Sequence, residues 1–503
     1  MTRRLILTAI AAVLALPAQA GAATSAERTL AEALALFRPP SASARPARAG
    51  SEHATLVLRD LALRLGELSP FDRRLATSLL ARPTSARALN RYVVVSRRSC
   101  TSRFCVWWTT SGRDAPPARD TDGDGIPNQV EQTKRVLTNV WRREIGGMGY
   151  LRPLGDGSLR SPDDRLDIYL VDVGRHNVYG YCATDDPRRR LATARSVSVF
   201  CVFDDDFAAG QFPGSVSGLR GLRVTAAHEF FHAVQSRYDF REDRFLLEGT
   251  AVWMEDEVFD GINDNRRWLE YGPLMPENST DIGPWVPLDV STPDLSDPLY
   301  VYNYSSWIFF RFLAERVDRA IIRRIWERAR KRRSTRAIVG SVEARGLPFR
   351  KVFADFGVWN SAPPSFYSEG SAYLPAGARA VDLDVPVTVD MYHLANDYLE
   401  VPVAGSGATT LTLTLDLPAG DQPGEPEANV LVWTPLGLAR TEVALDPTGN
   451  GTATIPVAGA TRAVVVLTNA GSDAVCDQGT VYACEGQSLD DAMNGYVVLA
   501  SLS

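Results

Sequence analysis

The chain lacks several features that define common classes of protein. Its 503 residues include 54 Lys and Arg against 60 Asp and Glu, and the resulting net charge of −6 argues against a nucleic-acid-binding protein. After an apolar run from Leu5 to Leu16, no long uncharged apolar stretch follows, which argues against an integral membrane protein. The six cysteines include no Cys-x-x-Cys pair, so a zinc ribbon is disfavoured.

The first twenty residues have the three parts of a secretory signal peptide. Arg3 and Arg4 give a basic start, Leu5 to Leu16 form a short apolar core, and Ala18-Gln19-Ala20 forms an Ala-x-Ala end. We therefore expect residues 1–20 to be removed and the mature protein to be secreted. In an oxidising compartment cysteines that are close in sequence are expected to pair. The predicted disulfides are Cys100–Cys105, Cys182–Cys201 and Cys476–Cys484.

Hydrophobic periodicity divides the rest of the chain into three regions. Residues 21–90 have helical spacing, and they are either a propeptide that blocks an active site or helices that pack on the next domain. Residues 91–370 show strands first and helices later, which is typical of an α+β domain with a twisted sheet. From 371 to 503 apolar and polar residues alternate between turn signals, which predicts a β-sandwich. This last region holds no catalytic cluster, so we expect it to be structural or to contact a surface or polymer.

Histidine is also scarce, with five residues in the chain, yet two of them form one motif. His228 and His232 stand at i and i+4 with Glu229 between them. On a helix this spacing puts both rings on one face, where two imidazoles can bind one divalent metal ion. Glu229 would then act as general base on a metal-bound water. The motif predicts a zinc-dependent hydrolase.

Catalytic zinc takes three protein ligands and keeps one position open for water. Glu248 is the best candidate for the third ligand, because it follows His232 at a distance that allows a turn and a return on a second helix. Glu255 lies seven residues later on the same helix face, and Asp256 is close by. Glu255 is a candidate for a carboxylate that orients an imidazole, and Asp256 and Asp239 are weaker candidates; a solvated acid is the alternative for each.

The sequence also offers candidates for handling the substrate. Tyr302 and Tyr304 precede a predicted helix, and either could donate a hydrogen bond to the oxyanion of a tetrahedral intermediate. Aromatic packing is the alternative role for each. The segment from Val197 to Phe203 is predicted to be an edge strand, along which the main chain of a substrate would pair.

Residues 120–131 have the ligand spacing of a twelve-residue calcium loop. Pro127 at position 8 and the absence of a preceding helix depart from a paired EF-hand, so we expect a single structural Ca²⁺ site. An Asp/Gly turn before a helix is the alternative. The predicted calcium ligands are Asp120, Asp122, Asp124, the Ile126 carbonyl, Asn128 and Glu131.

The segments Val224 to Gln235 and Glu248 to Asp256 resemble the gluzincin metalloproteases. They are more closely similar to a group of secreted bacterial metalloproteases that carry an Asp/Gly loop with Gly-Ile-Pro, here Gly125-Ile126-Pro127, before the zinc helix. The resemblance covers roughly Phe104 to Trp326. Val252 stands where thermolysin-like gluzincins have an acid, so the groups that orient the ligands must differ here.

The resemblance implies a gluzincin-like core, zinc bound by His228, His232 and Glu248, and Glu229 as catalytic base. With the motifs, it predicts an exported zinc endopeptidase that acts on protein or peptide substrates. Two alternatives stay open. One is a calcium-stabilised extracellular binding or adhesion protein whose zinc helix is vestigial, and the other is a zinc hydrolase of non-peptide substrates.

Overall fold

The computed structural model describes the chain apart from residues 1–23, 38–53, 156–163, 187–190, 192, 280–282, 291–297, 420–424 and 473–493. The predicted signal peptide and the predicted Cys476–Cys484 pair therefore lie outside the described residues. Both other predicted disulfides, Cys100–Cys105 and Cys182–Cys201, are present. Among the described residues no helix is long and apolar enough to cross a membrane.

The described chain is α+β, as predicted, with helices and strands mostly in separate runs. The helices are α1 (Ser25–Leu36), α2 (Ala54–Arg64), α3 (Pro70–Leu79), α4 (Asn128–Trp141), α5 (Gly218–Tyr238), α6 (Arg244–Phe259), α7 (Tyr302–Ser305), α8 (Trp307–Arg316), α9 (Ile321–Ala329), α10 (Ser334–Glu343), α11 (Phe349–Ser361) and α12 (Pro363–Phe366). The strands are β1 (Ser96–Cys100), β2 (Phe104–Thr109), β3 (Leu166–Val171), β4 (Gly180–Ala183), β5 (Phe200–Asp204), β6 (Arg379–Ala380), β7 (Val387–Met391), β8 (Ala395–Val401), β9 (Thr410–Asp416), β10 (Pro426–Thr434), β11 (Gly437–Glu442), β12 (Asn450–Pro456), β13 (Arg462–Asn469) and β14 (Asn494–Leu502).

The first sheet has the strand order β1-β2-β3-β5-β4. Strands β2, β3 and β5 run parallel, while β1 and β4 pair antiparallel at the two ends. All the residues of β3 and β5 are buried, as expected for parallel strands that are covered on both faces.

The prediction that Val197 to Phe203 is an edge strand is wrong. The part of this segment that forms a strand belongs to β5, which lies between β3 and β4, and Val202 is aligned with Tyr169 on one side and Tyr181 on the other. Both edges of β5 are therefore used by the sheet itself. The strand at that end of the described sheet is β4, whose four residues are too short to give a clear strand pattern in the sequence.

Helix α5 packs across this sheet and α6 packs beside α5, and both are buried along most of their length. Two glycines allow these close approaches. A Cβ on Gly180 in β4 would lie 2.8 Å from Thr225 of α5, and a Cβ on Gly249 in α6 would lie 2.6 Å from the Phe310 ring of α8. The motif of His228, Glu229 and His232 thus lies in the interior of the α+β core.

The last two sheets, ordered β11-β10-β13-β8-β6 and β12-β9-β14-β7, face each other across a core of their own. Strand β13 also has a second buried face. Val465 and Leu467 point into the core between the sheets, whereas Val464 and Val466 belong to the main core on the side of α11. This explains a continuous apolar run in place of the alternation found elsewhere in these sheets.

Candidate metal centre

Helix α5 carries the two histidines and the glutamate of the motif. His228 and His232 lie one turn apart and their Nε2 atoms are 3.0 Å from each other. The exposed fractions of His228, Glu229 and His232 are 6%, 4% and 2%, so all three side chains are almost completely withdrawn from water. Two imidazole nitrogens so close in the interior are arranged to share one positive ion.

Helix α6 returns alongside α5 and brings Glu248 to the same point. Its Oε2 lies 3.2 Å from His228 Nε2 and 3.5 Å from His232 Nε2. Ligands placed about 2.0–2.1 Å from a tetrahedral zinc ion are about 3.3 Å from one another, so the three observed separations fit one such ion. Glu248 is fully buried, and its carboxylate faces the two imidazoles. The donor set therefore fits a divalent metal.

No protein-family model and no curated protein matches this chain.

The electrostatics of the site favour a positive charge between the ligands. Burial would lower the pKa of His228, but Glu248 and Glu255 outweigh it and raise that pKa well above the ordinary value. Burial would likewise raise the pKa of Glu248, and the charges of His232 and His228 reverse this and hold it well below its usual range.

Each histidine is held by a second hydrogen bond at Nδ1. Glu255 Oε1 lies 2.7 Å from His228 Nδ1, and Gln235 Oε1 lies 2.6 Å from His232 Nδ1. Gln235 in turn donates to the Leu247 carbonyl and to Thr250 Oγ1 on α6. Such partners fix the ring orientation of a metal-binding histidine. Sequence reasoning missed Gln235, although its i+3 spacing from His232 places it on the same helix face.

The other two carboxylates considered for this role lie elsewhere. Asp256 accepts a hydrogen bond from Arg311 at 2.9 Å, and burial raises its pKa to about 6. Asp239 pairs with Arg195 at 2.5 Å. The structure brings neither of them to a histidine. Asp256 follows Glu255 directly and so points to a different side of α6.

The two candidate tyrosines have different surroundings. The Tyr302 hydroxyl donates to the Val286 carbonyl at 3.1 Å, and its ring packs in a separate apolar cluster with Trp285 and Tyr392. Tyr302 is therefore not brought to the metal centre. Tyr304 does lie at the candidate metal centre, because its ring stacks against that of His228 with a centroid distance of 6.2 Å and an interplanar angle of 11°.

Glu229 lies beside the ligands at the floor of a pocket. Burial raises its pKa above the ordinary value, although the nearby imidazoles and a hydrogen bond from Thr55 act in the opposite direction. The pocket has an apolar wall and an Asp264–Arg267 ion pair at its rim. It is lined by Tyr179, Gly180, Val216, Val224, Thr225, His228, Glu229, Glu255, Asp264 and Arg267.

The loop of residues 120–131 is an exposed turn with converging carboxylates. Asp120, Asp122 and Asp124 lie close enough together to hold a metal ion. The Asp120 carboxylate accepts hydrogen bonds at 2.8 Å from the backbone of Gly123 and Gly125, which lower its pKa.

The two remaining predicted side-chain ligands of this loop have other partners. Asn128 Oδ1 accepts from the Thr121 backbone and hydroxyl, and Glu131 lies 3.7 Å from Arg135. Glu131 is not part of the carboxylate cluster among the described residues. Calcium binding by this loop stays a prediction.

A second group of acids was not expected from the sequence. Asp172, Asp204 and Asp205 follow or end β3 and β5 and lie close together. Burial raises the pKa of Asp204 to about 7, and burial with the neighbouring charge of Asp204 raises that of Asp205 to about 8. The carboxyl ends of adjacent parallel strands explain their proximity, but the strand order had to be known first.

Proposed function

We propose that this protein is a secreted zinc-dependent endopeptidase with a gluzincin-like catalytic core. The observation that carries the proposal is the convergence of His228, His232 and Glu248 beside Glu229, at a pocket that opens between α5 and β4. Two imidazoles and one carboxylate are the ligand set of a hydrolytic zinc site with one position left open.

Each residue has a defined task in this proposal. His228, His232 and Glu248 would hold zinc, which when bound lowers the pKa of a coordinated water and polarises a carbonyl oxygen. Glu229 takes the proton of the attacking water and later gives it to the leaving amine. Glu255 and Gln235 keep the imidazoles in the required tautomer and orientation.

The cleft suits an extended peptide. Strand β4 ends the described sheet next to the pocket, so its outer edge can pair with the main chain of a substrate. Tyr179, Val216 and Val224 give the pocket an apolar wall that fits an apolar side chain next to the scissile bond. Because Gly180 approaches Thr225 closely, a larger residue there would push β4 away from α5.

The test is digestion of a peptide library by the zinc-loaded protein, with metal content measured on the same sample. We expect one zinc per chain, cleavage that a chelator abolishes, and a fall of at least about a thousandfold in kcat/KM for Glu229→Gln. Glu343→Gln, an exposed glutamate on α10, is the matched control. Zinc binding without peptide cleavage would favour a hydrolase of other substrates, and failure to bind zinc would favour the adhesion alternative.

A further inference from the structure

Helix α2 of the N-terminal region reaches into the proposed active site. The Thr55 hydroxyl donates a hydrogen bond of 2.7 Å to Glu229 Oε2 and accepts one of 2.8 Å from the Cys182 backbone of β4. We propose that α1–α3 form an inhibitory segment, with Thr55 as the residue that blocks the catalytic base. This inference rests on the proposed function, because it assigns Glu229 the role of base.

The Thr55 hydroxyl is hydrogen-bonded to two groups that a substrate complex requires, the Glu229 carboxylate and the Cys182 N–H. Glu229 must accept a proton from the attacking water, and the Thr55 hydroxyl already takes one hydrogen-bonding position on that carboxylate. The Cys182 N–H points away from β5 and is the donor that an extended substrate would use at this edge. While Thr55 is in place, a substrate cannot use the Cys182 N–H, and the attacking water has to compete with the hydroxyl for Glu229 Oε2.

The space beyond Thr55 is also closed by α2. A small cavity on this side of the ligands is enclosed between Thr55, Leu56 and Arg59 of α2, Cys182 and Ala183 of β4, and His232. An extended peptide that ran along β4 past the metal centre would have to enter this volume. Binding of such a peptide and docking of α2 therefore exclude each other.

Helix α2 is held firmly, as an inhibitory element must be. Every residue from 54 to 63 is buried, and Leu56, Leu58 and Leu61 have no exposed surface. Arg59 donates to the Glu242 carbonyl at 2.6 Å, and Asp60 pairs with Arg244 at the start of α6. These contacts therefore tie α2 to α6, the helix that carries Glu248.

The contact with Glu229 distinguishes an inhibitory segment from helices that only complete the core. Packing alone would be served by an apolar residue at position 55, whereas a hydroxyl bonded to the base has a consequence for catalysis. The connection from α3 to β1 is also exposed at residues 93–95, with Val93 and Val95 exposed by 73% and 86%. This irregular link is open to cleavage by a protease, which would leave α1–α3 held by contacts alone.

The first test uses the full-length zinc-loaded chain and a peptide hydroxamate as probe of the cleft. Thr55→Val removes the hydroxyl at nearly constant shape, and we expect about a tenfold gain in hydroxamate affinity and in kcat/KM, since a hydrogen bond to a charged group contributes about that factor to docking. Thr55→Ser keeps the hydroxyl and should resemble the wild type. Thr77→Val, which removes an exposed hydroxyl on α3, is the matched control.

The second test does not depend on how the Thr55 variants fold. A site for a specific protease is placed at residues 93–95, the chain is cut, and the N-terminal fragment is separated at the lowest urea concentration that releases it. Hydroxamate affinity and peptide cleavage should both rise by more than tenfold once the fragment is gone. A zinc-loaded protein that shows no gain after loss of the fragment would overturn the inhibition, whereas a protein that binds no zinc in either form would overturn the proposed function instead.

Discussion

The hydrogen bond between Glu255 and His228 gives the sharpest quantitative prediction about the metal centre. Its 2.7 Å length and the 7% exposure of Glu255 mark a charge-assisted bond in a nearly dry environment. Removing such a partner lowers metal affinity about 10- to 100-fold, which corresponds to about 1.4–2.7 kcal/mol. Glu255→Gln keeps a hydrogen-bond acceptor but loses the charge, so its loss of metal affinity should be near the lower value of this range. The loss for Glu255→Ala should be near the upper value.

The corresponding change at the other histidine should be smaller. Gln235 is neutral, and a neutral hydrogen bond is roughly half as strong as a charge-assisted one, so Gln235→Ala should lower zinc affinity by about half the free energy found for Glu255→Ala.

The assay for these variants is competition for zinc with a chromophoric chelator at pH 7.5. Glu257→Ala is the control, because Glu257 is on the same helix and pairs with Arg319 instead. Zinc affinities of both Glu255 variants within twofold of the wild type would refute the reasoning, provided that their circular dichroism shows intact helices.

Three further predictions concern stability. Calcium should raise the Tm measured by calorimetry. At a calcium concentration of a hundred times the Kd, the rise should correspond to about 2.7 kcal/mol of added stability, and Asp122→Ala should abolish it. Because the folded pKa values of Asp204 and Asp205 are about 7 and 8, above the unfolded 3.8, the urea midpoint should fall as pH rises from 4 to 8. In Asp205→Asn the fall of the urea midpoint with pH should be smaller. An equal fall would contradict the assignment of this pH dependence to Asp205. Gly249→Ala should destabilise the fold by about 1–3 kcal/mol in urea titration, since its Cβ would meet Phe310, and an unchanged midpoint would contradict this packing.

The metal centre was largely predictable because its geometry is local. The i, i+4 spacing of His228 and His232 fixes their shared helix face, and the turn before α6 brings Glu248 back over a short stretch of chain. Glu255 follows from Glu248 by two helical turns. Gln235 could have been found by the same argument, one turn after His232.

What could not be predicted depends on contacts between segments far apart in sequence. The order β3-β5-β4 decides which strand has a free edge, and no periodicity within a strand encodes that order. The position of Tyr302 in another cluster follows from the path of the chain around Trp285. The contact of Thr55 with Glu229 joins residues 174 positions apart, and only tertiary structure reveals it.

The doubly buried strand β13 has a consequence for anyone who shortens this protein. Val464 and Val466, with Leu431 of the neighbouring β10, fill part of the interior that α11 also borders. A truncation at residue 371 would leave the apolar side of α11 in contact with water. The two C-terminal sheets are therefore expected to be needed for the production of an intact protein, and a fragment that ends before them should aggregate.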